Sequence, residues 1–340
     1  MTMDQIYRLI DPRNELHISQ QLVSLVENKL NELGILSRVF GRVKSVDSVK
    51  AKIASREEQG NPYGPNGPKM QDFYGLRVVV YFTDDVDVAR RVVGNIFTYD
   101  SESVSDLSRD KFGPVRCNVV YRLPEDLQAQ SLALQRLPLL DQTLEVQFRT
   151  VLSEGWHEVE HDLRYKRQHA WEQHEDLGRV INAILATLEG SDWTLLKAFD
   201  DLAHRHYKSQ DYLEMVHAKF RLRFRNTGQL EGVWQLLAQT PTLAKELFRV
   251  ERADYLGKLL ELRGSVPTTP ENVVLLANRF FMRDQQLQAL ETPQIKAVMD
   301  RWEAQQPNGG AALPHLAKQA LEHAAPDGGS AMPLPKTSFS

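Results

Sequence analysis

Residues 75–82, GLRVVVYF, decide how the rest of the chain has to be read. The run is rich in β-branched and aromatic side chains and apolar on both faces, which is the pattern of a central strand. Such a strand needs neighbours, and three stretches offer themselves: LSRVFGR at 36–42, VRCNVVYRL at 115–123 and TLEVQFR at 143–149. A helix at 85–96 sets Val86, Ala89, Val92, Val93 and Ile96 on one stripe, ready to pack back on the strand. Ahead of it, 19–33 puts Leu22, Leu25, Val26, Leu30 and Leu33 on a helical stripe with Ser19 as the expected N-cap. DSVKAKIASREE, 47–58, reads as a short basic helix capped by Asp47 or Ser48. GNPYGPNGPK, 60–69, is a loop, since Gly and Pro punctuate it throughout.

From residue 150 the pattern changes to helices at 151–166, 176–189, 192–205 and 210–224, with more between 230 and 303. The stretch from about 306 mixes Pro, Gly, Ala and Ser and is expected to be disordered apart from a short helix at 314–325. The expected fold class is therefore α+β: a small mixed β-sheet flanked by helices, followed by an all-α C-terminal extension. Three units are expected, at 1–225, 226–305 and 306–340.

Composition limits the function. The 340 residues are 42% hydrophobic and 25% charged, with a net charge of −4 from 41 basic and 45 acidic side chains, so a globally basic nucleic-acid binder is excluded. A single cysteine, Cys117, rules out a disulfide framework or a cysteine-based zinc site. No apolar run approaches the roughly 18 residues of a membrane span, and MTMDQIYRLIDPRNE lacks a signal-peptide apolar region. A cytoplasmic protein with no membrane partner is expected.

Three clusters carry chemistry. GRVKSVDSVKAK, 41–52, places Arg42 and Lys44 on one side of a strand end and Ser48 and Lys52 on one helical face. Cations and a hydroxyl near a helix N-terminus suit a polyphosphate, although a solvated basic face has the same composition. Asp72 precedes the central strand, where a carboxylate can hold Mg²⁺ beside phosphates or merely form a turn. In TLEVQFRT, 143–150, alternation sends Leu144, Val146 and Phe148 to one face and Glu145, Gln147 and Arg149 to the other. That second face is either solvated or part of a site, and Glu145 could share a metal with Asp72.

In order and spacing the clusters resemble the synthetase domain of the RelA/SpoT family. The matching residues are Gly41, Arg42, Lys44, Ser48 and Lys52; Asp72, Gly75 and Arg77; Glu145, Gln147, Arg149 and Thr150; and Glu160, His161, Tyr165 and Lys166. The resemblance covers about 20–225. It implies a nucleotidyltransferase-like fold, a small alarmone synthetase or toxic relative of one, and no hydrolase domain, since some 40 residues precede Gly41. The activity implied is a GTP pyrophosphokinase-like transfer: Mg²⁺-ATP gives its β,γ-diphosphate to a ribose 3′-hydroxyl and leaves as AMP. By resemblance Asp72 and Glu145 are catalytic and hold Mg²⁺, with Glu145 orienting or deprotonating the acceptor hydroxyl. Arg42, Lys44, Ser48, Lys52 and Arg77 bind ATP. Gln147, Arg149, Arg116, Asn118, Tyr121 and His161 lie on the acceptor side.

One block departs from the family. Its guanine-binding loop reads G-Y-x-S-x-H, whereas residues 113–118 read GPVRCN, with Pro114 at the stacking position; Tyr63 and Tyr121 could supply a ring. GDP or GTP is the first acceptor expected. The alternative is a toxin-type member modifying the tRNA CCA end or an adenine nucleotide. For tRNA the candidate surface is 205–225, where Arg205, Lys208, Lys219, Arg221, Arg223 and Arg225 interleave with Tyr207, Phe220 and Phe224. The helical extension is a place for homo-oligomer contacts or a neutralising protein partner. Two further readings are a non-catalytic interaction protein and, from the literal H-E-x-x-H at 157–161, a zinc peptidase.

Overall fold

The structure, a computed structural model, describes residues 10, 12–104, 117–225, 230–262 and 266–305. Its centre is a five-stranded mixed sheet in the order β1-β2-β5-β4-β3, formed by β1 (Ser37–Val43), β2 (Tyr74–Val80), β3 (Tyr99–Val104), β4 (Cys117–Arg122) and β5 (Thr143–Thr150). β2 and β5 run parallel and every other pair is antiparallel. The expected central strand is an interior one, β2, between β1 and β5, and β5 is the middle of the five. β3 was not anticipated: YDSESV is polar and is recruited through backbone pairing with β4.

One face of the sheet is covered and the other is left open, and alternation explains which is which. Leu76, Val78, Leu144, Val146, Val119 and Tyr121 are buried on the covered face. Against it lie α1 (Pro12–Glu32) and α3 (Asp85–Ile96), whereas α2 (Val46–Glu58) buries the single side chain Val49 and sends Lys52 and Arg56 to a cavity on the open face. In α1, Ile18, Leu22, Val26 and Leu30 recur at helical spacing and are all buried. Ser19 does not cap this helix as expected, because the helix begins about two turns earlier, at Pro12. Ser19 is buried mid-helix against Gly41, where an added Cβ would come within 2.5 Å of its Oγ. Gly41 is therefore what lets β1 lie directly on α1. The cap of α2 is Ser45, whose Oγ accepts from the Ser48 amide, rather than Asp47 or Ser48.

The segment between β4 and β5 forms α4 (Glu125–Gln130) and α5 (Leu132–Arg136). After β5 the chain is helical, in line with the sequence. α6 (Val151–Val159) starts with a Thr150–Ser153 capping box and gives way to a π-turn at Glu160–Arg164 and a 3₁₀ stretch at Tyr165–Ala170. α7 (Glu175–Lys208) is one helix of 34 residues, not the expected pair broken near Gly190. Asp192 explains the continuity, since its buried carboxylate accepts from the Thr150 hydroxyl at 2.7 Å. α8 (Tyr212–Phe220) follows, then α9 (Glu231–Gln239), α10 (Pro241–Arg249), α11 (Arg252–Glu261), α12 (Pro270–Ala277), α13 (Gln285–Ala289) and α14 (Pro293–Gln305).

These last helices share one hydrophobic cluster with the sheet, which takes in residues from Ile18 to Met299. A buried ionic knot also ties them to it. Arg252 pairs with Asp85 at 2.6 Å and with Asp84 at 3.1 Å, while Arg221 pairs with Asp84 at 2.5 Å and with Asp200 at 3.2 Å. The expected short helix at 314–325 lies outside the described residues. Among those residues no helix is long and apolar enough to cross a membrane.

Candidate active site

The open face of the sheet collects the sequence candidates by register alone. Arg42, Gly75, Glu145 and Val120 lie in one cross-strand row, and Phe40, Arg77, Gln147 and Asn118 in the next. Side chains directly opposite in neighbouring strands share a face, so four sequence blocks far apart in the chain meet on about two rungs of sheet. Gly75 has a specific reason to be glycine. The Arg42 side chain lies across it, and a Cβ there would meet Arg42 Nε at 3.1 Å.

Asp72 sits where β2 begins, between a lysine from the end of β1 and a lysine from α2. Lys44 Nζ donates to its Oδ2 at 2.9 Å and Lys52 Nζ donates to the same oxygen at 2.6 Å. Burial works to raise the Asp72 carboxyl; the two ammonium groups outweigh it and hold it below the ordinary 3.8. The second oxygen, Oδ1, is buried and has no hydrogen-bond partner. Such an orphaned anionic oxygen is costly unless a further ligand completes it. A hard cation is one such ligand, and the chemistry of the site fits it: Asp72 and Glu145 line the same cavity and offer carboxylate oxygens. Among the described residues no group of three His, Cys, Asp or Glu side chains is arranged for a metal, so phosphate and water would have to complete the shell.

Two cavities meet at Glu145. The first, of about 260 Å³, is lined on the β1–β2 side by Phe40, Arg42, Arg77 and Gln147 and on the helical side by Glu158 and His161. The second, of about 280 Å³, opens toward β3 and β4 and is lined by Lys52, Arg56, Tyr63, Lys69, Asp72 and Val120. Glu145 lines both and accepts from the Gln147 side-chain amide at 2.9 Å. Arg77 is steered by α6, donating to Glu154 at 2.6 Å and also to Glu158. Burial lowers the Arg77 guanidinium, but these two carboxylates prevail and hold it above its ordinary value. Ser48 stays at the first turn of α2, with its Oγ 2.8 Å from that of Ser45. His161 lines the first cavity with its Nδ1 2.9 Å from Asp162.

Several expectations need correction. Tyr121 cannot serve as an acceptor-side ring: it is 3% exposed and opposes Leu144 on the covered face. Strand parity, which puts it out of phase with Asn118 and Val120, could have revealed this. The basic surface at 205–225 is only partly one: Arg205, Lys208, Arg223 and Arg225 are exposed, but the rest is taken into the fold. Arg221 is consumed by the ionic knot, Lys219 lies over the Phe248 ring at 5.2 Å, Phe220 is fully buried, and Tyr207 stacks on Phe248. Burial holds the Lys219 ammonium below its usual range. The H-E-x-x-H motif does not offer two free imidazoles. His157 Nε2 lies 2.7 Å from the Arg149 guanidinium, which puts a cation where zinc would sit. Arg149 thus turns to α6. Arg116 and Pro114, with the side chain of Tyr165, lie outside the described residues.

Residues 41–170 match the sequence family described as a region found in RelA / SpoT proteins. Over that stretch the chain is similar to the family. Solved structures similar to the chain include small alarmone synthetase 1 from Bacillus subtilis, at 21% identity over 55% of this chain and 94% of that one, with a TM-score of 0.39. A GTP pyrophosphokinase family protein from Streptococcus pneumoniae is 24% identical over 59% and 95%, with a TM-score of 0.44. The Bacillus subtilis enzyme bound to AMPCPP is 20% identical over 56% and 94%, with a TM-score of 0.38. No curated protein matches the chain. Phe40, Arg56, Lys69, Glu154 and Glu158 are the site residues that the sequence reading missed. Phe40 alone carried a signal, being two residues from Arg42 on the same strand face.

Proposed function

We propose that the RelA/SpoT region is a pyrophosphokinase that moves the β,γ-diphosphate of ATP to the ribose 3′-hydroxyl of an acceptor nucleotide, a guanine nucleotide being the first candidate. The synthetase unit would comprise the sheet and its helices to about residue 225, with 230–305 a helical block braced on it. The observation that carries the reading is the Asp72 arrangement. A carboxylate is fixed by two lysines with one oxygen left orphaned, at the mouth of a cavity shared with a second carboxylate, Glu145. Phosphoryl transfer asks the protein mainly to position two substrates and neutralise charge, and this site is built of cations and hard oxygens.

Each residue then has a physical task. Arg42 and Arg77 flank the first cavity, where flat guanidinium groups suit both an adenine face and phosphate oxygens. Lys44 and Lys52 neutralise the donor phosphates. Glu145 takes the proton from the acceptor 3′-hydroxyl as its oxygen bonds to the β-phosphorus; the bond from that phosphorus to the α,β-bridging oxygen breaks, and AMP leaves with the electron pair. Gln147 orients Glu145 through its 2.9 Å hydrogen bond. Asp72 and Glu145 would hold Mg²⁺, which when bound supplies positive charge to the transferring phosphoryl oxygens.

The test is Mg²⁺-dependent AMP release from ATP in the presence of GDP, compared among wild type, Asp72→Asn and Glu145→Gln. Both substitutions keep volume and remove charge, so folding should be retained while turnover falls about 10²–10⁴-fold, the range for loss of a positioned acid–base group. Near-wild-type turnover in either variant would remove that residue from the mechanism. Absence of AMP from the wild type with GDP, GTP, ADP, ATP or bulk tRNA would overturn the reading.

A further inference from the structure

A two-substrate transfer needs two recesses that meet at the reacting groups, and the open face of the sheet provides them on opposite sides of Glu145. The cavity toward β3 and β4 has one feature that the first lacks, a tyrosine. Tyr63 stands in the Gly- and Pro-rich loop between α2 and β2, half-buried, with the Arg56 guanidinium carbon 5.3 Å from its ring centre. A cation over one ring face restrains the ring and keeps it in place as a platform. The loop is closed on itself by hydrogen bonds from the Gly64 amide to the Pro68 carbonyl at 3.2 Å and from the Gly67 amide to the Gly64 carbonyl at 3.3 Å. Lys69 follows at the same rim and is exposed.

We infer that this second cavity receives the acceptor, with Tyr63 stacking its purine base and Lys69 meeting its 5′-phosphates, so that a nucleoside 5′-diphosphate or triphosphate brings its 3′-hydroxyl to Glu145 from the β4 side. The inference rests on the proposed transfer and deepens it. The cavity, of about 280 Å³, accommodates a base and ribose. A stacking platform tolerates any base, since every base has a π-face. Tyr63 therefore sets affinity for purine nucleotides as a class.

Equilibrium binding separates this assignment from the catalytic one. GDP, ADP, GMP and α,β-methylene-ATP are titrated into the full chain and into Tyr63→Ala, Tyr63→Phe and Lys69→Ala. Tyr63→Ala should weaken GDP and ADP about ten- to a hundred-fold, the range for loss of one base–aromatic stack, and leave the binding of α,β-methylene-ATP to the first, donor cavity unchanged. Tyr63→Phe keeps the ring and should bind as wild type, which guards against a mere loop collapse. Lys69→Ala should erase the preference for GDP over GMP. Unaltered GDP binding in Tyr63→Ala, an equal loss of the ATP analogue, or no GDP binding by wild type would each overturn the assignment. Tyr63-dependent GDP binding without AMP release would instead sink the pyrophosphokinase reading and leave the platform standing.

Discussion

Two basic segments, 41–52 and 205–225, look alike in the sequence and turn out to be opposites in the fold. In the first, Lys44 and Lys52 hold the Asp72 carboxylate at the edge of one cavity, and Arg42 lines the other. In the second, Arg221 adopts a left-handed backbone at the end of α8 and disappears into an ionic knot with Asp84 and, through that carboxylate, Arg252. Asp72 and Asp85 mark the contrast. Cations hold Asp72 below its usual range, whereas complete burial raises Asp85 even with Arg252 beside it. Basic residues report a ligand only where packing leaves them facing one. Where packing consumes them, they report architecture.

The largest expected effect tests the architectural half. Removing one partner of a buried ion pair leaves the other charged and unsolvated, at a cost of about 3–5 kcal/mol. Arg252→Ala should lower stability by that amount in urea unfolding, because Asp85 is fully buried beneath it. Arg42→Ala should leave the unfolding midpoint nearly unmoved and raise KM for ATP about ten- to a hundred-fold, with less effect on the acceptor, as expected for a lost charged hydrogen bond. If Arg252→Ala is as stable as wild type, or Arg42→Ala unfolds, the two clusters have been assigned the wrong way round.

How much of this was legible in advance depended on periodicity. β2 and β5 declared themselves because alternating or continuous apolar patterns record burial directly, and Glu145, Gln147 and Arg149 were placed together on one face by that alternation alone. β3 was illegible because its strand character comes from hydrogen bonds to β4, not from side chains. The Gly190–Ser191–Asp192 stretch read as a helix break. Asp192 instead spends its hydrogen bond on Thr150, a partner 42 positions away that no local rule contains. The same long-range dependence hid the fate of Arg221, since Asp84 is 137 positions earlier. Glu154 and Glu158 were visible as residues, but not as the pair that aims Arg77.

The two carboxylates also differ in how they respond to acid, and this sharpens the comparison further. Asp72 has a folded-state value below 3.8, so its contribution is complete above 3.8 and is lost as pH falls through the depressed value. The stability gap between wild type and Asp72→Asn should therefore be widest near neutrality and close toward acid. Asp85 has a folded-state value above 3.8, so the proton favours the folded chain and the contribution is lost as pH rises from 3.8 through the raised value. Relative to Asp85→Asn, wild type should lose ground as pH rises across that window. Urea unfolding midpoints along an acid series measure both. Slopes of the same sign for the two variants would show that burial and pairing do not divide the clusters in this way.

The smallest expected effect is close to none. A polynucleotide acceptor held by phosphate contacts would lose affinity steeply with salt, by a slope of about 0.7–0.9 per contact on logarithmic axes. With Arg221 in the knot and Lys219 over Phe248, what 205–225 still offers is Arg205 and Lys208 at the end of α7 and, at the lip near α1, Arg223 and Arg225, of which Arg223 already donates to the Asn31 side chain at 2.9 Å. Two arginines on a rim that also carries Glu32 make a poor phosphate track. Arg223→Ala and Arg225→Ala should accordingly leave acceptor KM unchanged, and AMP release with a mononucleotide acceptor should decline only gently from low to moderate salt. A steep salt slope that flattens in either variant would return the acceptor to the tRNA class and make this rim, rather than the cavity beside Glu145, the place where it is held.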